Sequence, residues 1–442
     1  MEKLWSAGHG AYLVGGGVRD SLLGLRPSEW DATTDARPER ILAIFPGSTY
    51  QNRFGTVLAR NMEITTFRRD HRYADHRRPE RVTFSDDVYE DLARRDLTIN
   101  AIAWGRRGPD AEARLLDPAD GAGDLRARLV RAVGDPDRRF DEDALRLLRA
   151  VRIAARLDFS IEPLTLAAMS AHASDISWVS EERVGSEIRR MLKEGAPSRA
   201  FRLMDETGIL AATMPELADL KSEPARQRTD QPRSRFDHSL DTLAAATRHS
   251  PGQERSALAG LLHSMGPSRA RTILERLRVS GRDADAICQL IETLSTDYRP
   301  DWSDAAVRRF MRAVGAELLD DLLQLRRAHD EADAEPEATA RYEELRSRVE
   351  TQRLADVPLT LGELAIDGAD LRTTLGIPES PAIGVILDRL LEDVIDDPSL
   401  NRRMTLLTRA SLVLDELTQP GAQSLPSSAA AGHGTADRPR MD

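Results

Sequence analysis

The sequence predicts an α+β protein, in which a small mixed β-sheet with accompanying helices is followed by domains built of helices alone. Three observations support this fold class. Between residue 11 and about residue 120, short runs rich in β-branched and aromatic residues alternate with Gly and Asp, as strands and turns do. From about residue 141 the apolar residues follow a helical period instead. Hydrophobic residues make up 40% of the 442 residues and aromatic residues only 5%, a composition that favours a globular, Leu- and Ala-rich helical protein.

The N-terminal region contains seven segments with the composition of strands. Their β-branched and aromatic residues suit a pleated, half-buried surface, and the Gly and Asp between them suit turns. The predicted strands are AYLVGG, WDATT, GTVLAR, MEITTF, RVTFS, TINAIAW and ARLLDP.

The helical region opens with DEDALRLLRAVRIAARL, whose first residues are acidic, as the positive end of a helix dipole favours. Apolar residues three and four apart predict one buried stripe, formed by Ala144, Leu147, Leu148, Val151 and Ala154. Helical patterns continue through EERVGSEIRRMLKEG, PSRAFRLMDETGIL and most of 236–417. The polar segment 222–235 predicts a linker or exposed loop, and the low-complexity tail 418–442 predicts disorder.

Length and cysteine content exclude several classes of protein. A chain of 442 residues is too long for one ordinary core and predicts two to four domains. Cys288 is the single cysteine, which excludes an internal disulfide and a cysteine-based zinc site and fits a reducing compartment. The N-terminal residues MEKLWSAGHG lack a signal pattern, and no apolar run reaches the length of a membrane span. We therefore expect a cytoplasmic protein without a membrane partner.

The charge distribution neither requires nor excludes a nucleic-acid partner. The net charge of −11 argues against one, but the first 160 residues carry 27 basic and 26 acidic residues, so the acidic excess lies in the remainder. Lys3, Lys193 and Lys221 are the only lysines. Arginine's planar fork suits phosphates and base edges, although a codon bias would produce the same count.

The segment SEWDATTD places two carboxylates, Glu29 and Asp31, two positions apart. If EWDAT is a strand, both side chains project from the same face, and adjacent carboxylates repel unless a cation lies between them. A solvated acidic edge strand is one interpretation, and a clamp for a divalent metal is the other. Glu63 in NMEITTFRRD offers a third acid on a neighbouring strand, which favours the clamp.

A glycine-rich turn precedes this acidic pair. GGGVRD predicts a turn that opens a helix, where free N–H groups favour an anion. Gly16 and Gly17 belong to the turn, and Arg19 to the first turn of the helix. Such a turn is also found without any ligand, so it is the order of turn, acidic pair and third acid that predicts nucleotide chemistry.

These motifs resemble a known family, the class II tRNA nucleotidyltransferases (CCA-adding enzymes) with the related bacterial poly(A) polymerases. The resemblance runs from about residue 11 to about residue 412 through YLVGGGVRDSLLG, NRFGTV, EITTFR, DLARRDLTINAIAW, DPADGAGDL, DEDALRLLRAVRIAARLDF, VSEERVGSEIRRML and GIPESPAIGVILDRLLEDVIDDPSLN. It implies a polymerase-β-like nucleotidyltransferase head followed by all-α neck, body and tail domains. We expect the head at 1–140, the neck at 141–222, the body at 223–350, the tail domain at 351–417 and a disordered end at 418–442.

The resemblance implies template-independent addition of C and A nucleotides to the 3′ end of tRNA from CTP and ATP. Two Mg²⁺ ions would bridge the carboxylates, the triphosphate and the 3′-hydroxyl, with Glu29, Asp31 and Glu63 catalytic and Glu29 and Asp31 as metal ligands. The family usually carries Asp-x-Asp where this chain has Glu29-x-Asp31. Glutamate keeps the charge but reaches one methylene further, so the change is either a tolerated variant or a sign of a slow or retired active site.

The resemblance also implies a set of nucleotide-binding residues. In RRDLTINA they are Arg94, Arg95, Asp96 and Asn100, which would hold the triphosphate and sugar together with Gly16, Gly17 and Arg19. In EDALR they are Asp143 and Arg146, three apart and so on one face of a helix, with Arg149 one turn on as a phosphate partner. A surface salt bridge is the alternative for Asp143 and Arg146.

Asp143 and Arg146 have the chemistry to select C and A. Cytosine and adenine both show an exocyclic amine beside a ring-nitrogen acceptor, so Asp143 would accept from the amine while Arg146 donates to the ring nitrogen. Uracil and guanine present the reverse pattern, and a site built on hydrogen bonds rejects such mismatches by on the order of 10⁴-fold.

Two alternatives to full CCA addition stay open at this point. One is partial addition (A only, CC only or a poly(A) tail), although TFRRDHRYADHRRPERV resembles the flexible loop of enzymes that add the terminal A, which disfavours CC-only addition. The other is a catalytically weak RNA-binding relative.

RFDHSLDTL and ALAGLLHSMG resemble the metal-binding segments of an HD phosphohydrolase domain. That chemistry needs aspartate after the second histidine, and here Ser264 follows His263. The sequence therefore predicts that His238 and His263 are structural histidines.

Overall fold

The computed structural model describes residues 1–52, 55–73, 79–225, 233–296, 298–333 and 336–418. These residues divide into two compact units. The first comprises Met1–Asp297 with Glu317–Tyr342, and the second comprises Tyr298–Ala316 with the described residues from Glu343 onward. The division of the chain into head, neck, body and tail stays a prediction.

The N-terminal part of the first unit is built on a mixed seven-stranded sheet of order β3-β4-β5-β2-β1-β8-β9. Strands β2 and β5 are parallel, and the other neighbours in this sheet are antiparallel. The predicted small mixed sheet is confirmed. The strands of the described residues are β1 (Ala11–Val14), β2 (Asp31–Thr34), β3 (Thr49–Asn52), β4 (Thr56–Ala59), β5 (Met62–Thr66), β6 (Arg68–Tyr73), β7 (Pro79–Phe84), β8 (Ala103–Arg106), β9 (Arg114–Leu116), β10 (Leu129–Val130) and β11 (Ser160–Ile161).

The sheet buries both of its faces, because successive side chains of each strand alternate between them. On β1, Ala11 belongs to a cluster with Leu4, Trp5 and Ile41, which the first and third helices contribute. Tyr12 and Val14 belong to a second cluster that includes Val88 and Leu92 of the fourth helix. Both faces are therefore covered around β1, whereas Trp104 of β8 and Leu115 of β9 are exposed toward one edge of the sheet.

Strands β6 and β7 form a separate antiparallel ribbon, with Arg68 opposite Phe84. The predicted strand RVTFS is confirmed over residues 81–84, which belong to β7. The resemblance of TFRRDHRYADHRRPERV to a flexible loop stays a prediction. Residues 74–78, between the strands, lie outside the described residues. Pairing is favoured because β-branched and aromatic residues, such as Val82 and Phe84, recur along β7.

Helices make up most of the remaining described residues. In the N-terminal region they are α1 (Glu2–Ser6), α2 (Gly16–Leu22), α3 (Pro38–Ile44), α4 (Val88–Ala93), α5 (Gly121–Ala127) and α6 (Pro136–Glu142). They continue as α7 (Leu145–Leu157), α8 (Pro163–Ala171), α9 (Glu181–Lys193), α10 (Pro197–Glu206), α11 (Ile209–Thr213), α12 (Pro215–Ala218), α13 (Arg235–His249), α14 (Glu254–Leu262), α15 (Pro267–Arg276), α16 (Gly281–Leu294), α17 (Asp304–Val314), α18 (Ala316–Asp333), α19 (Pro336–Leu354), α20 (Gly368–Leu375), α21 (Pro381–Asp396) and α22 (Arg403–Thr418).

Helix α7 confirms the predicted apolar stripe but not the predicted helix start. All five stripe residues, Ala144, Leu147, Leu148, Val151 and Ala154, are fully buried. The predicted helix from residue 141 is interrupted, because α6 ends at Glu142 and α7 begins at Leu145. Asp143 has extended backbone dihedrals, and its carboxylate accepts from the Leu145 N–H at 3.1 Å. The carboxylate thus caps the new helix, as Asp does at many N-termini.

Three other predicted elements differ from the structure or lie beyond it. TINAIAW is not one strand, because Thr98–Asn100 forms a 3₁₀ turn before β8 and the buried amide of Asn100 is held by hydrogen bonds. In the predicted linker 222–235, residues 226–232 lie outside the described residues, and Arg235 already begins α13. The predicted disordered tail lies outside the described residues from 419 onward.

The second unit has a core of its own. Leu371, Ile386, Leu390 and Leu406 are buried in one cluster, which α20, α21 and α22 form together. A search of the helices in the described part of the chain finds none with the length and apolar character needed to cross a membrane.

Candidate active site

The parallel pairing of β2 and β5 brings two carboxylates together at one end of the sheet. Asp31, the first residue of β2, lies directly opposite Glu63 of β5 and, on its other side, opposite Val14 of β1. Neighbouring strands of a sheet lie about 4.7–4.9 Å apart, so the two carboxyl side chains adjoin. The prediction that Glu63 comes from a neighbouring strand is confirmed, and Asp31 and Glu63 are called the acidic wall below.

Glu29 is not on the strand, so the prediction that Glu29 and Asp31 project from one strand face was wrong. Strand β2 begins at Asp31 because β1 ends at Val14, its partner in the ladder, and the chain then turns into α2. The preceding residues pack on α2 instead, since a Cβ added to Gly17 would lie 2.7 Å from the Trp30 ring and 2.9 Å from the Glu29 carbonyl oxygen. Glu29 is exposed beside the acidic wall.

The charges of these three carboxylates act on one another. Burial in the cavity wall raises the pKa of Asp31, as does the charge of Glu29, while the charges of Arg95 and Arg149 oppose the rise. Although much of the Glu63 residue is exposed, partial burial and then the charges of Asp31 and Glu29 raise the pKa of its carboxyl. A cation placed among the three would relieve this repulsion.

A buried aspartate that the sequence analysis did not single out orients the predicted arginine pair. Asp91 is fully buried, and one of its oxygens accepts from Arg94 Nη2 at 2.7 Å and Arg94 Nε at 3.0 Å. The other accepts from Arg95 Nη2 at 3.3 Å and from Thr33 Oγ1 at 3.1 Å. Burial would raise the pKa of Asp91, but the charges of Arg94 and Arg95 lower it overall. The spacing Asp-x-x-Arg-Arg on a helix end was the signal that could have identified it.

Arg19 and Asn100 lie inside a buried polar network. Arg19 is 3% exposed; its Nε donates to Asp20 at 2.8 Å and its Nη1 to the Asn100 side-chain oxygen at 2.8 Å. Asn100 in turn donates to Asp96 at 3.2 Å. These two predicted nucleotide-binding residues are thus engaged with protein partners and do not line the cavity described below.

Helix α7 forms hydrogen bonds with both ends of that network. Arg149 Nε donates to Asp96 Oδ2 at 2.7 Å, and Arg156 Nη2 donates to Asp20 Oδ2 at 2.7 Å. Burial would raise the pKa of Asp96, but the charge and hydrogen bonds of Arg149 lower it well below its usual range, and Asp96 raises the pKa of Arg149. The network, formed by Arg19, Asp20, Asp96, Asn100, Arg149 and Arg156, locks α2, the 3₁₀ turn and α7 in one arrangement.

The glycines of the turn serve close packing. Gly15 has φ +74°, which favours glycine, and a Cβ there would lie 3.3 Å from Asp31 Oδ2 and 3.6 Å from Arg95 Nη1. Gly17 has no room for a Cβ, because the Trp30 ring packs against it. A Cβ on Gly16 would contact the Arg19 side chain, at 3.5 Å. The turn therefore brings backbone up to the acidic wall, as a phosphate cradle needs, and Gly15 was not among the predicted site residues.

Asp143 and Arg146 are neighbours in space but do not pair with each other as the salt-bridge alternative predicted. Asp143 Oδ2 accepts from Arg183 Nη2 of α9 at 2.8 Å. Arg146 Nη1 donates to Glu142 at 2.7 Å and to the Arg139 carbonyl at 3.0 Å, and its Nη2 donates to the Arg94 carbonyl at 3.1 Å. Because Asp143 precedes α7, the prediction that both lie on one helix face was wrong, although both face the same cavity.

Arg183 is a further residue that the sequence analysis did not single out. Its Nη2 holds Asp143, while its buried Nη1 has no hydrogen-bond partner among the described residues. It lies 40 positions from Asp143, so no local spacing could have revealed the pair.

These groups surround one cavity of about 350 Å³. The acidic wall lies on one side, and the arginine cluster, defined as Arg94, Arg95, Arg146, Arg149 and Arg183, contributes the cationic groups. The cavity is lined by Val14, Asp31, Ala32, Thr56, Glu63, Thr65, Arg68, Arg94, Arg95, Asp96, Asp143, Leu145, Arg146, Arg149 and Arg183. Carboxylates next to a dense arginine cluster can bind a polyanion together with divalent cations.

Comparison with known families divides the chain into three matched regions. Residues 11–131 match the poly A polymerase head domain. Residues 158–221 match the family described as the probable RNA and SrmB-binding site of polymerase A, and residues 250–410 match a putative tRNA nucleotidyltransferase domain 2. The acidic wall lies within the first region.

Individual relatives match over almost the whole chain. The CCA-adding enzyme of Geobacillus stearothermophilus is 34% identical over 412 residues, covering 91% of this chain and 93% of the relative. The crystal structure of the Bacillus stearothermophilus CCA-adding enzyme in complex with CTP superposes with a TM-score of 0.73 at 28% identity, covering 94% of this chain and 97% of that one. The Thermotoga maritima CCA-adding enzyme complexed with tRNA shares the fold, with a TM-score of 0.60 at 19% identity over 92% of each chain.

Proposed function

Because the chain belongs to the CCA-adding enzyme family, we propose that it adds C and A nucleotides to the 3′ end of tRNA. CTP and ATP are the substrates, and no nucleic-acid template is needed. The observation that carries this assignment in the molecule itself is the cavity in which the acidic wall adjoins the arginine cluster. A cytoplasmic location and the absence of a membrane partner are part of the proposal.

The residues at the acidic wall fit a divalent cation of the Mg²⁺ type. Asp31, Glu63 and Glu29 supply carboxylate oxygens, the ligands that this hard cation prefers. Burial, followed by the charges of neighbouring carboxylates, raises the pKa of Asp31 and Glu63. Glu29 and Asp31 would hold the metal, and Glu63 would complete the charge of the site. When bound, Mg²⁺ supplies charge stabilisation to the transferring phosphoryl group and lowers the pKa of the attacking hydroxyl.

The arginine cluster is suited to the triphosphate. Arg94 and Arg95 are held by Asp91 at hydrogen-bond distances of 2.7–3.3 Å, so their guanidinium groups are oriented before a nucleotide arrives. Such preorganised cations stabilise charge that develops in the transition state. The reaction joins the tRNA 3′-hydroxyl oxygen to the α-phosphorus and releases pyrophosphate, whose negative charge the same cluster would hold.

Asp143 and Arg146 would select the base. Arg183 holds one oxygen of Asp143, and Glu142 with two backbone carbonyls holds Arg146. An acceptor and a donor fixed in this way match the amine and ring nitrogen that cytosine and adenine share, and oppose the reversed pattern of uracil and guanine. A pair of protein side chains would thereby take the place of a template base.

Arg19, Asp20, Asn100 and Asp96 act as positioning residues in this proposal. Their network spans from α2 to α7, and Asp96 orients Arg149 at the cavity. They would fix the distance between the acidic wall and the base-selecting pair, which belong to separate elements.

The test uses tRNA transcripts that end before the first C, after C and after CC, each incubated with CTP, ATP or both. Full CCA addition predicts that each transcript is extended to the CCA end and no further when both nucleotides are present. Extension of only the CC-ended transcript would indicate A-only addition, and long A tracts would indicate a poly(A) polymerase. Absence of any product, with tRNA still bound, would favour a catalytically weak RNA-binding relative.

A further inference from the structure

Three histidines outside the active site meet in the helical part of the first unit. His238 belongs to α13, His263 directly follows α14, and His329 belongs to α18. A ring nitrogen from each lies within 4.8 Å of the others. Among the described residues this histidine trio is the one group of three or more His, Cys, Asp or Glu side chains gathered so closely.

The three rings are arranged around a common centre. Their centroids are 4.9–5.1 Å apart and each pair of ring planes crosses at 80–83°. Flat stacking, which would bury the ring faces against one another, is absent from these pairs. Three mutually edge-on imidazoles can direct one nitrogen each toward the same point, as the ligands of a metal ion do.

A backbone carbonyl orients one ring, and carboxylates lie near a second. His263 Nδ1 lies 2.8 Å from the carbonyl oxygen of Gly260, so Nδ1 carries the proton. The lone pair of His263 Nε2 accepts from the Ser264 hydroxyl at 3.0 Å, and a bound metal would take the place of that hydroxyl hydrogen. His329 Nδ1 lies 3.5 Å from Asp330 and 3.6 Å from Asp333. A carbonyl or carboxylate behind the ring is the usual outer contact of a metal-bound histidine.

A carboxylate adjoins the trio. The Asp333 carboxylate lies 3.6 Å from His238 Nε2 and 3.6 Å from His329 Nδ1. Its negative charge is therefore close to both rings, but the distances are too long for hydrogen bonds.

We propose that His238, His263 and His329 form a binding site for a divalent transition metal of the Zn²⁺ class. Imidazole nitrogens select Zn²⁺, Co²⁺ or Ni²⁺ over Mg²⁺, and three histidines leave a fourth position for water. Tetrahedral Zn–N bonds of about 2.0–2.1 Å place the ligand nitrogens about 3.3 Å apart, which small side-chain rotations from the present spacing would reach. The bound metal cross-links α13, α18 and the end of α14.

The experiment uses the full chain, treated with a chelator and dialysed into metal-free buffer. Zn²⁺ alone is titrated by calorimetry, and Co²⁺ alone is titrated while visible absorption is recorded. The expected result is 1:1 binding, a Co²⁺ spectrum of four- or five-coordinate intensity, and a rise in Tm with Zn²⁺. Loss of outer contacts alone costs 10–100-fold in metal affinity, so His329→Gln, which removes a ligand, should weaken Zn²⁺ binding by more than about 100-fold.

His249→Gln is the matched control. His249 also lies on α13 and contacts α18 through Glu331, at 2.6 Å, but it is outside the trio, so this variant should bind Zn²⁺ as the parent does. His238→Gln provides a second test if His329→Gln does not fold, and the Co²⁺ spectrum of the parent needs no variant. Absence of 1:1 binding, or equal affinity in the parent and the ligand variants, would show that the trio is only a packed cluster of neutral imidazoles.

Discussion

The active-site cavity and the histidine trio are held together by different forces. In the cavity, charged side chains are fixed by opposite charges: Asp91 holds Arg94 and Arg95, and Asp96 holds Arg149. In the trio, three imidazole rings are brought together by helix packing, and a backbone carbonyl orients the ring of His263. The cavity therefore depends on the charges of its side chains, and the trio depends on the positions of its ring nitrogens.

The two regions are also suited to bind different cations. Carboxylate oxygens at the acidic wall favour a hard ion that keeps several waters, whereas three imidazoles favour a borderline transition metal. Removal of charge should therefore damage the cavity most, and removal of a ring nitrogen should damage the trio most.

The largest effect is expected at Asp31 of the acidic wall and at the adjoining Glu29. Asp31→Asn and Glu29→Gln keep the shape of each side chain but remove its charge, so nucleotide addition to a truncated tRNA should fall by about 10³-fold or more. Glu29→Asp keeps the charge and shortens the reach, so activity should survive or rise, with an altered preference between Mg²⁺ and Mn²⁺. Metal titrations of single-nucleotide addition measure all three variants.

Two outcomes would change the assignment of these carboxylates. Full activity of Glu29→Gln would make Glu29 an exposed acid without a role in the metal site. An inactive parent that Glu29→Asp restores would identify a retired active site.

The second effect concerns base selection, where the arrangement of hydrogen bonds matters as well as charge. Arg146→Ala removes the proposed donor to the base ring nitrogen, so it should lower the rate and also reduce discrimination against UTP and GTP, by about 10²-fold or more. Incorporation of each of the four nucleotides into a CC-ended transcript measures this. If the variant excludes UTP and GTP as sharply as the parent does, Arg146 is not a base reader.

The third effect is on stability and depends on pH. Asp96→Asn breaks a buried ion pair with Arg149, which should lower the free energy of unfolding at pH 7 by about 3 kcal/mol. Because folding lowers the pKa of Asp96, its contribution is present above the ordinary aspartate pKa of about 4 and is lost as the pH falls toward the folded-state pKa.

Urea unfolding of the parent and of Asp96→Asn between pH 7 and pH 3 follows this contribution. The difference between the two should narrow below about pH 4. A difference that stays constant over that range would mean that packing, and not the ion pair, accounts for the loss.

A smaller effect is expected from Arg183, which holds the proposed base-reading residue Asp143. Arg183→Ala should reduce discrimination against UTP by about 10-fold, because one charge-assisted hydrogen bond of about 1.5 kcal/mol or more is lost. Arg190→Ala on the same helix is the control, since Arg190 is 56% exposed and pairs with Glu187. A loss of rate with unchanged discrimination would assign Arg183 to packing of α9 alone.

No effect is expected in the last test, which concerns hydrolysis at the trio. Ser264 follows His263 where an HD phosphohydrolase has aspartate, and its hydroxyl lies 3.0 Å from His263 Nε2. We predict no release of phosphate from 2′,3′-cyclic or simple phosphoesters with added Ni²⁺ or Mg²⁺. Robust hydrolysis that His263→Gln abolishes would contradict this prediction.

Sequence patterns of short range were the most informative about the fold. The stripe of α7 was predicted residue by residue and is fully buried, because a helix of 3.6 residues per turn repeats its apolar face over a few positions. The mixed sheet was predicted because β-branched and aromatic runs between Gly and Asp are also short-range patterns. The start of α7 was missed, because capping by Asp143 competes with continuation of α6 and both have the same local pattern.

The candidate site was predicted where its chemistry lies in contiguous motifs. Asp31 and Glu63 at the sheet end, and the arginines of RRDLTINA and EDALR, were named from the sequence and line the cavity. The spacing of Glu29 and Asp31 led to a wrong prediction of a shared strand. A strand extends only as far as its partner, and β1 ends opposite Asp31.

By itself, the sequence determined the fold class through its periodicity and the family through its short motifs, and the family resemblance implied most of the charged residues at the cavity. Only the tertiary structure decided which charges pair. It placed Arg19 and Asn100 in a buried network, joined Arg183 to Asp143 across 40 positions, and brought His329 to His238 and His263. The physical reason is that such contacts arise from the packing of helices distant in the chain, and no local spacing encodes that packing.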